Sequence, residues 1–164
     1  MRSPGYRIVD EPSPSGVSHL AVRPLWPLLG LMLGGAWLGW PWFALNAVAL
    51  GVHRRNRALG WLALSAAIAI LFAVGMAALF HAGRFPRNVY PWLSLVLSLW
   101  KLTSAYVAYE HQEPSSELFI YFGGKVRNPA LLVAAAAFFG RSAVLDWLTD
   151  QSGSLASVAY LVLK

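Results

Sequence analysis

The chain has no cysteine among its 164 residues. Disulfides, thiolate zinc sites, iron–sulfur clusters and thiol nucleophiles are therefore outside its chemistry. Charge is scarce too: Asp, Glu, Lys and Arg together make up 12%, about half of the ~25% usual in soluble domains. Acids are the rarer sign, 7 against 13 Lys and Arg, for a net charge of +6. The sequence has no G-x-S-x-G elbow, no phosphate-cradling G-x-x-x-x-G-K-[ST] loop and no H-E-x-x-H pair. His19, His53, His81 and His111 never stand at metal-ligand spacing. The expectation is a protein that is not an enzyme, with no catalytic residues, no cofactor and no metal. The basic residues form no patch that would track a phosphate backbone. They collect at the edges of apolar runs, where Lys and Arg meet lipid headgroups, so nucleic acid is not an expected partner.

What the chain has in abundance is apolar surface: 57% hydrophobic residues and a mean hydropathy of +0.53. Residues 24–52 and 58–80 carry no charge at all. About 20 helical residues cross a hydrocarbon core ~30 Å thick, and each run is long enough. The pattern predicts an all-α, polytopic integral membrane protein. A polar tail over 1–23 precedes a transmembrane helical domain over 24–164, with four spans near 24–52, 58–80, 89–109 and 129–148. The tail lacks the apolar stretch and cleavage site of a signal peptide, so the first span is expected to act as an uncleaved anchor. A short apolar patch, Leu118 to Phe122, is expected to lie in the interface before the last span, with Gly123-Gly124 turning the chain back. The apolar piece over 155–163 is too short to cross; it either extends the fourth helix or lies along the surface.

The first run is long for a single span, more than ~40 Å as a straight helix. It must tilt, kink at Pro41, or start in the headgroup layer, where Trp26, Trp37, Trp40 and Trp42 would be at home. The alternative is a re-entrant hairpin turning near Gly39-Trp40-Pro41. Four full spans would put both termini on one side. Arg2, Arg7, Arg23, Arg84, Arg87 and Lys164 would then face Arg54, Arg55, Arg57, Lys125 and Arg127 across the membrane. That near-balance gives the positive-inside rule little to work with. Glu110, Glu113 and Glu117 on the second side lean the reading toward cytoplasmic termini.

Few polar side chains fall inside the spans, and these are the candidate functional residues. In the third span Ser94, Ser98, Lys101, Ala105 and Ala108 follow a helical stripe that is expected to face the bundle. Lys101 either lines a hydrated pathway or snorkels to the headgroups. Arg141 shares a face with Ala134, Ala137 and Leu145. Asp146, five residues on, is poorly placed to pair with Arg141 along one helix; both either face other helices or reach water near the end of the span. Asn46, the strongly polar residue of the first span, is expected to hydrogen-bond a neighbouring helix. Gly30 with Gly34, and Gly35 with Gly39, form small-xxx-small pairs that allow close helix approach, within the bundle or between copies of the chain.

Several short motifs occur together. Leu33-Gly34-Gly35 is followed by Trp42, Asn46 and Leu50-Gly51 before a basic loop. Pro86 then stands in a later loop, Tyr106, Tyr109 and Gln112 close the third span, and Gly123-Gly124 precedes the last. In these features the chain resembles a group of small bacterial inner-membrane proteins of unknown function with about four spans. The resemblance covers roughly residues 24–148 and departs from the group in the Trp-rich first span and the apolar C-terminal tail. It implies a multi-pass protein of the bacterial inner membrane and supplies no catalytic residues. The expected role is a partner or component of an envelope complex, or an immunity-like membrane protein. Lipid surrounds it, and a second copy or another membrane protein is a possible partner. The alternative is a small transporter or channel for an ion or small molecule, built as an oligomer around Lys101, Arg141 and the serine stripe.

Overall fold

The computed structural model describes residues 16–84 and 86–140 and the single positions 143, 146 and 162. Among them all regular structure is helical, apart from one isolated backbone bridge between Val22 and Arg127.

Gly35 decides how the first apolar run folds. Its backbone sits at φ 108°, ψ 175°, a conformation that a residue with a Cβ adopts only under strain. Helix α1, Leu25–Gly34, ends there and helix α2, Ala36–Ala49, begins directly after it. The two run antiparallel as a tight hairpin. A Cβ placed on Gly39 would lie 2.8 Å from Leu31 Cα, and one on Gly30 would lie 3.1 Å from the Trp42 ring. Gly30 and Gly39 therefore form the seam of the hairpin, and the small-xxx-small pairs pack this segment against itself. The single span expected over 24–52 is corrected accordingly. At ~1.5 Å per residue α1 and α2 extend ~15 and ~21 Å, short of a ~30 Å hydrocarbon core. The alternative of a hairpin was right in kind and wrong in place: Pro41 lies inside α2, and the chain turns where glycine permits a positive φ.

Helix α3, Arg55–His81, is rich in Ala, Leu, Ile and Phe and is ~40 Å long. It is the one described helix both long and apolar enough to cross a membrane. Helix α4, Tyr90–Tyr121, is longer still at ~48 Å and runs unbroken through the glutamates and Pro114. The expected end of a span at Tyr109 and the separate interfacial patch are thus corrected. Leu118 to Tyr121 is the last turn of α4, and Phe119 is buried beside Gly124. The reason is a buried stripe at helical spacing, Lys101, Ala105, Ala108, Gln112, Ser116 and Phe119, which carries one inward face across the polar stretch.

Two tryptophans clasp α3 to α4. Trp61 Nε1–H donates to the Ser104 carbonyl at 3.2 Å, and Trp100 Nε1–H donates to the Ser65 carbonyl at 3.1 Å. The two rings lie 6.4 Å apart. Helix α5, Ala130–Ala135, widens into a π-type turn over Ala136–Gly140 and packs against α1. Ala143 and Asp146 of the expected fourth span are helical and exposed, whereas Arg141 lies outside the described residues. Val162 is helical and buried in the main core with Leu62, Ala69, Ala73 and Leu97. At that residue the C-terminal piece sits in the bundle, not on its surface.

One end of the molecule gathers the start of α1, the end of α2, the start of α3, the end of α4 and the approach to α5. Here it is called the base. The Arg127 N–H donates to the Ala21 carbonyl at 2.9 Å and holds two of these strands of chain together. The far end holds the turn between α3 and α4, where the Phe80 and Tyr90 rings meet edge to face at 5.6 Å.

Candidate functional site

The base is organised around two side-chain amides. The Val22 N–H donates to Asn46 Oδ1 at 3.0 Å, Asn46 Nδ2–H donates to Gln112 Oε1 at 3.0 Å, and Gln112 Nε2–H donates to the Phe43 carbonyl at 2.8 Å. Both amides are 1% exposed. Their orientations follow from the backbone partners: Asn46 must present oxygen to an N–H, and Gln112 must present nitrogen to a carbonyl. Asn46 thus meets the expectation of a bond to a neighbouring helix, and it also fixes the chain entering α1. In the sequence Gln112 stands out only as part of the aromatic-and-Gln stretch with Tyr106 and Tyr109. Its signal was the continuation of the Lys101 stripe by one helical step.

Beside this layer, α3 and α4 part to leave a cleft. A cavity of ~270 Å³ is lined by Ala58, Trp61, Leu62, Val107, Ala108 and Gln112, with Arg57 and His111 on its side toward the base. A second cavity of ~230 Å³ shares Arg57 and His111 and adds His53, Arg54 and Ser115. Beyond it an open basin surrounds the loop before α3, with Arg54, Arg55 and Arg57 on its walls. None of the described residues lining these three spaces is acidic. The first turn of α3 contains no acid, and no side chain caps it. The positive end of its helix dipole therefore adds to the arginines. His111 Nδ1–H donates to the Val107 carbonyl at 2.7 Å; Nε2 is its other ring nitrogen.

Among the described residues, Ser94 and Ser98 do not join the buried face that holds Lys101. The lower part of the serine–lysine stripe faces inward: Lys101 is 8% exposed, and Ala105 and Ala108 are buried. Lys101 is therefore packed in the bundle and does not snorkel outward. Ser94 and Ser98 are not enclosed. Each donates its hydroxyl to its own helix, to the Pro91 and Ser94 carbonyls at 2.8 and 2.9 Å. The hairpin stops short of their level: ten residues back from Asn46 is Ala36, and ten back from its partner Gln112 is Leu102. Further buried hydroxyls, Ser65, Ser104 and Ser116, were missed by sequence. Ser65 and Ser104 donate to the Trp61 and Lys101 carbonyls of their own helices, so they need no polar neighbour to mark them. No group of three or more His, Asp or Glu side chains among the described residues is placed to hold a metal ion.

Neither a protein-family model, nor a curated protein, nor a solved structure matches the chain.

Proposed function

We propose that the chain is a non-enzymatic, multi-pass protein of the bacterial inner membrane that works as a component or partner of an envelope complex, or as an immunity-like membrane protein. The observation that carries the membrane part is the outward surface of the two long helices. Leu71 is 71% exposed, Trp92 70%, and Leu64, Val74, Val96 and Leu99 are all exposed. Soluble proteins rarely leave so extended an apolar face to water, and lipid is its natural cover. The charges support the same reading. Along α3 and α4, between Arg57 near the base and His81 at the far end, Lys101 is the one Lys, Arg, Asp or Glu before Glu110.

The hairpin also gives the positive-inside rule an answer. With α1 and α2 returning to one end, Arg23, Arg54, Arg55, Arg57, Lys125 and Arg127 belong to the base, against Arg84 and Arg87 at the far end. Six against two among the described residues favours a cytoplasmic base. The test of the membrane reading is extraction of the full chain from cells. Alkaline carbonate should leave it in the membrane pellet and detergent should release it; release by carbonate alone would contradict the reading.

A second reading, a small transporter or channel working as an oligomer, is favoured by one observation: a buried Lys101 near the level at which the half-depth hairpin turns. Against it stand the serine hydroxyls bonded to their own helix. Proteoliposomes should show no ion flux above empty vesicles. A flux abolished by Lys101→Met would move the assignment to transport.

A further inference from the structure

We infer that the cleft between α3 and α4 is a binding site for an anionic phospholipid of the leaflet at the base. Its acyl chain lies against Trp61, Leu62 and Val107, and its phosphate lies between Arg54, Arg57 and His111. The inference rests on the multi-pass membrane reading and names a ligand class for the site. Three observations carry it. First, the cleft is amphipathic in the direction a lipid needs: its inner part is indole and aliphatic apart from Gln112, whose amide is engaged by Asn46 and the Phe43 carbonyl, and its outer part is cationic. Second, its size selects the part of the ligand it takes. A volume of ~270 Å³ holds on the order of nine groups of water size at ~30 Å³ each. That fits a stretch of one hydrocarbon chain and not a headgroup as well, which is left to the adjoining basic cavity.

Third, the charge at the mouth has no acidic counterpart among the described residues of its lining. Arg54, Arg55 and Arg57 are exposed around an uncapped helix start, with His53 and His111 beside them. The nearest acids in sequence are Glu110, adjacent to His111 and ~100° away around α4, and Glu113, two residues on and ~200° away. A phosphodiester supplies the missing negative charge and accepts hydrogen bonds from guanidinium groups. Arginines near an anionic membrane surface already favour such lipids; the cleft adds a place for the chain that holds one of them.

The test uses the full chain, purified in detergent, stripped of lipid and examined by native mass spectrometry with phosphatidylglycerol or phosphatidylcholine. The expected result is retention of phosphatidylglycerol at least tenfold tighter than phosphatidylcholine. Arg54→Gln with Arg57→Gln should remove most of that preference and leave phosphatidylcholine retention unchanged. Val107→Phe, which narrows the cleft, should weaken both lipids several-fold; Ala58→Leu serves the same purpose should the first variant fail to fold. Arg84→Gln removes a charge at the far end and should change nothing. Inorganic phosphate and glycerol phosphate, which lack chains, should not displace the lipid.

Three results would overturn the inference: the same lipid preference in the double arginine variant, displacement by inorganic phosphate alone, or an equal loss in Arg84→Gln. The carbonate extraction above separates the two levels. A chain that stays in the membrane but shows no lipid preference fails this inference alone.

Discussion

The base and the far end of the molecule differ in how their polar groups are handled. At the base the chain entering α1, helix α2 and helix α4 meet through two buried amides whose hydrogen bonds to one another and to the backbone interlock. Toward the far end Ser94 and Ser98 turn their hydroxyls back onto α4, and Leu71, Val74, Trp92 and Val96 are exposed. The difference teaches where tertiary specificity sits. The base is fixed by polar partners that fit one arrangement, whereas the far half is held by apolar contact and the reach of two long helices.

The largest expected effect comes from the hairpin seam. Gly39→Leu puts a side chain where Leu31 backbone already lies. It should cost ~3 kcal/mol or more, read as a loss of stability to SDS-induced unfolding in mixed micelles. Next, Gln112→Leu leaves Asn46 Nδ2–H and the Phe43 side of the network short of a partner. Each unsatisfied buried group costs about 1–3 kcal/mol, and the same titration should register it. Trp61→Phe should cost less, ~1 kcal/mol, because the Ser104 carbonyl is also placed to accept a bond from its own helix. Smallest of all, Ser98→Ala should stay within ~0.5 kcal/mol. A Ser98→Ala effect as large as that of Gln112→Leu would erase the contrast between the two ends.

Hydropathy makes α3 legible because residues 58–80, all but its first three residues and its last, are uncharged and almost entirely apolar. The inward stripe of α4 was legible as far as Ala108 from its small residues. Beyond that point the stripe continues through Gln112 and Ser116, which hydropathy scores as surface, so the helix looked finished a dozen residues early. The hairpin was misread for the opposite reason: both of its helices and the turn are apolar, and a run of 29 such residues reads as one span. Its turn shows in sequence only as the doublet Gly34-Gly35. What separates a packing glycine from a turning glycine is φ, which composition does not carry. Asn46 was found because it is alone in an apolar run; the basic cleft was not, because its two walls are some fifty residues apart in the chain.

The most direct measurement of the central claim, that the first apolar segment enters and leaves at the same end, uses the natural absence of cysteine. His19→Cys, Asn56→Cys and Arg84→Cys would each be exposed to a membrane-impermeant thiol reagent in intact cells and in inverted vesicles. The hairpin predicts that positions 19 and 56 label together, in inverted vesicles, while position 84 labels in intact cells. Labelling of positions 19 and 56 from opposite sides would mean that residues 24–52 cross the membrane, and would contradict the account.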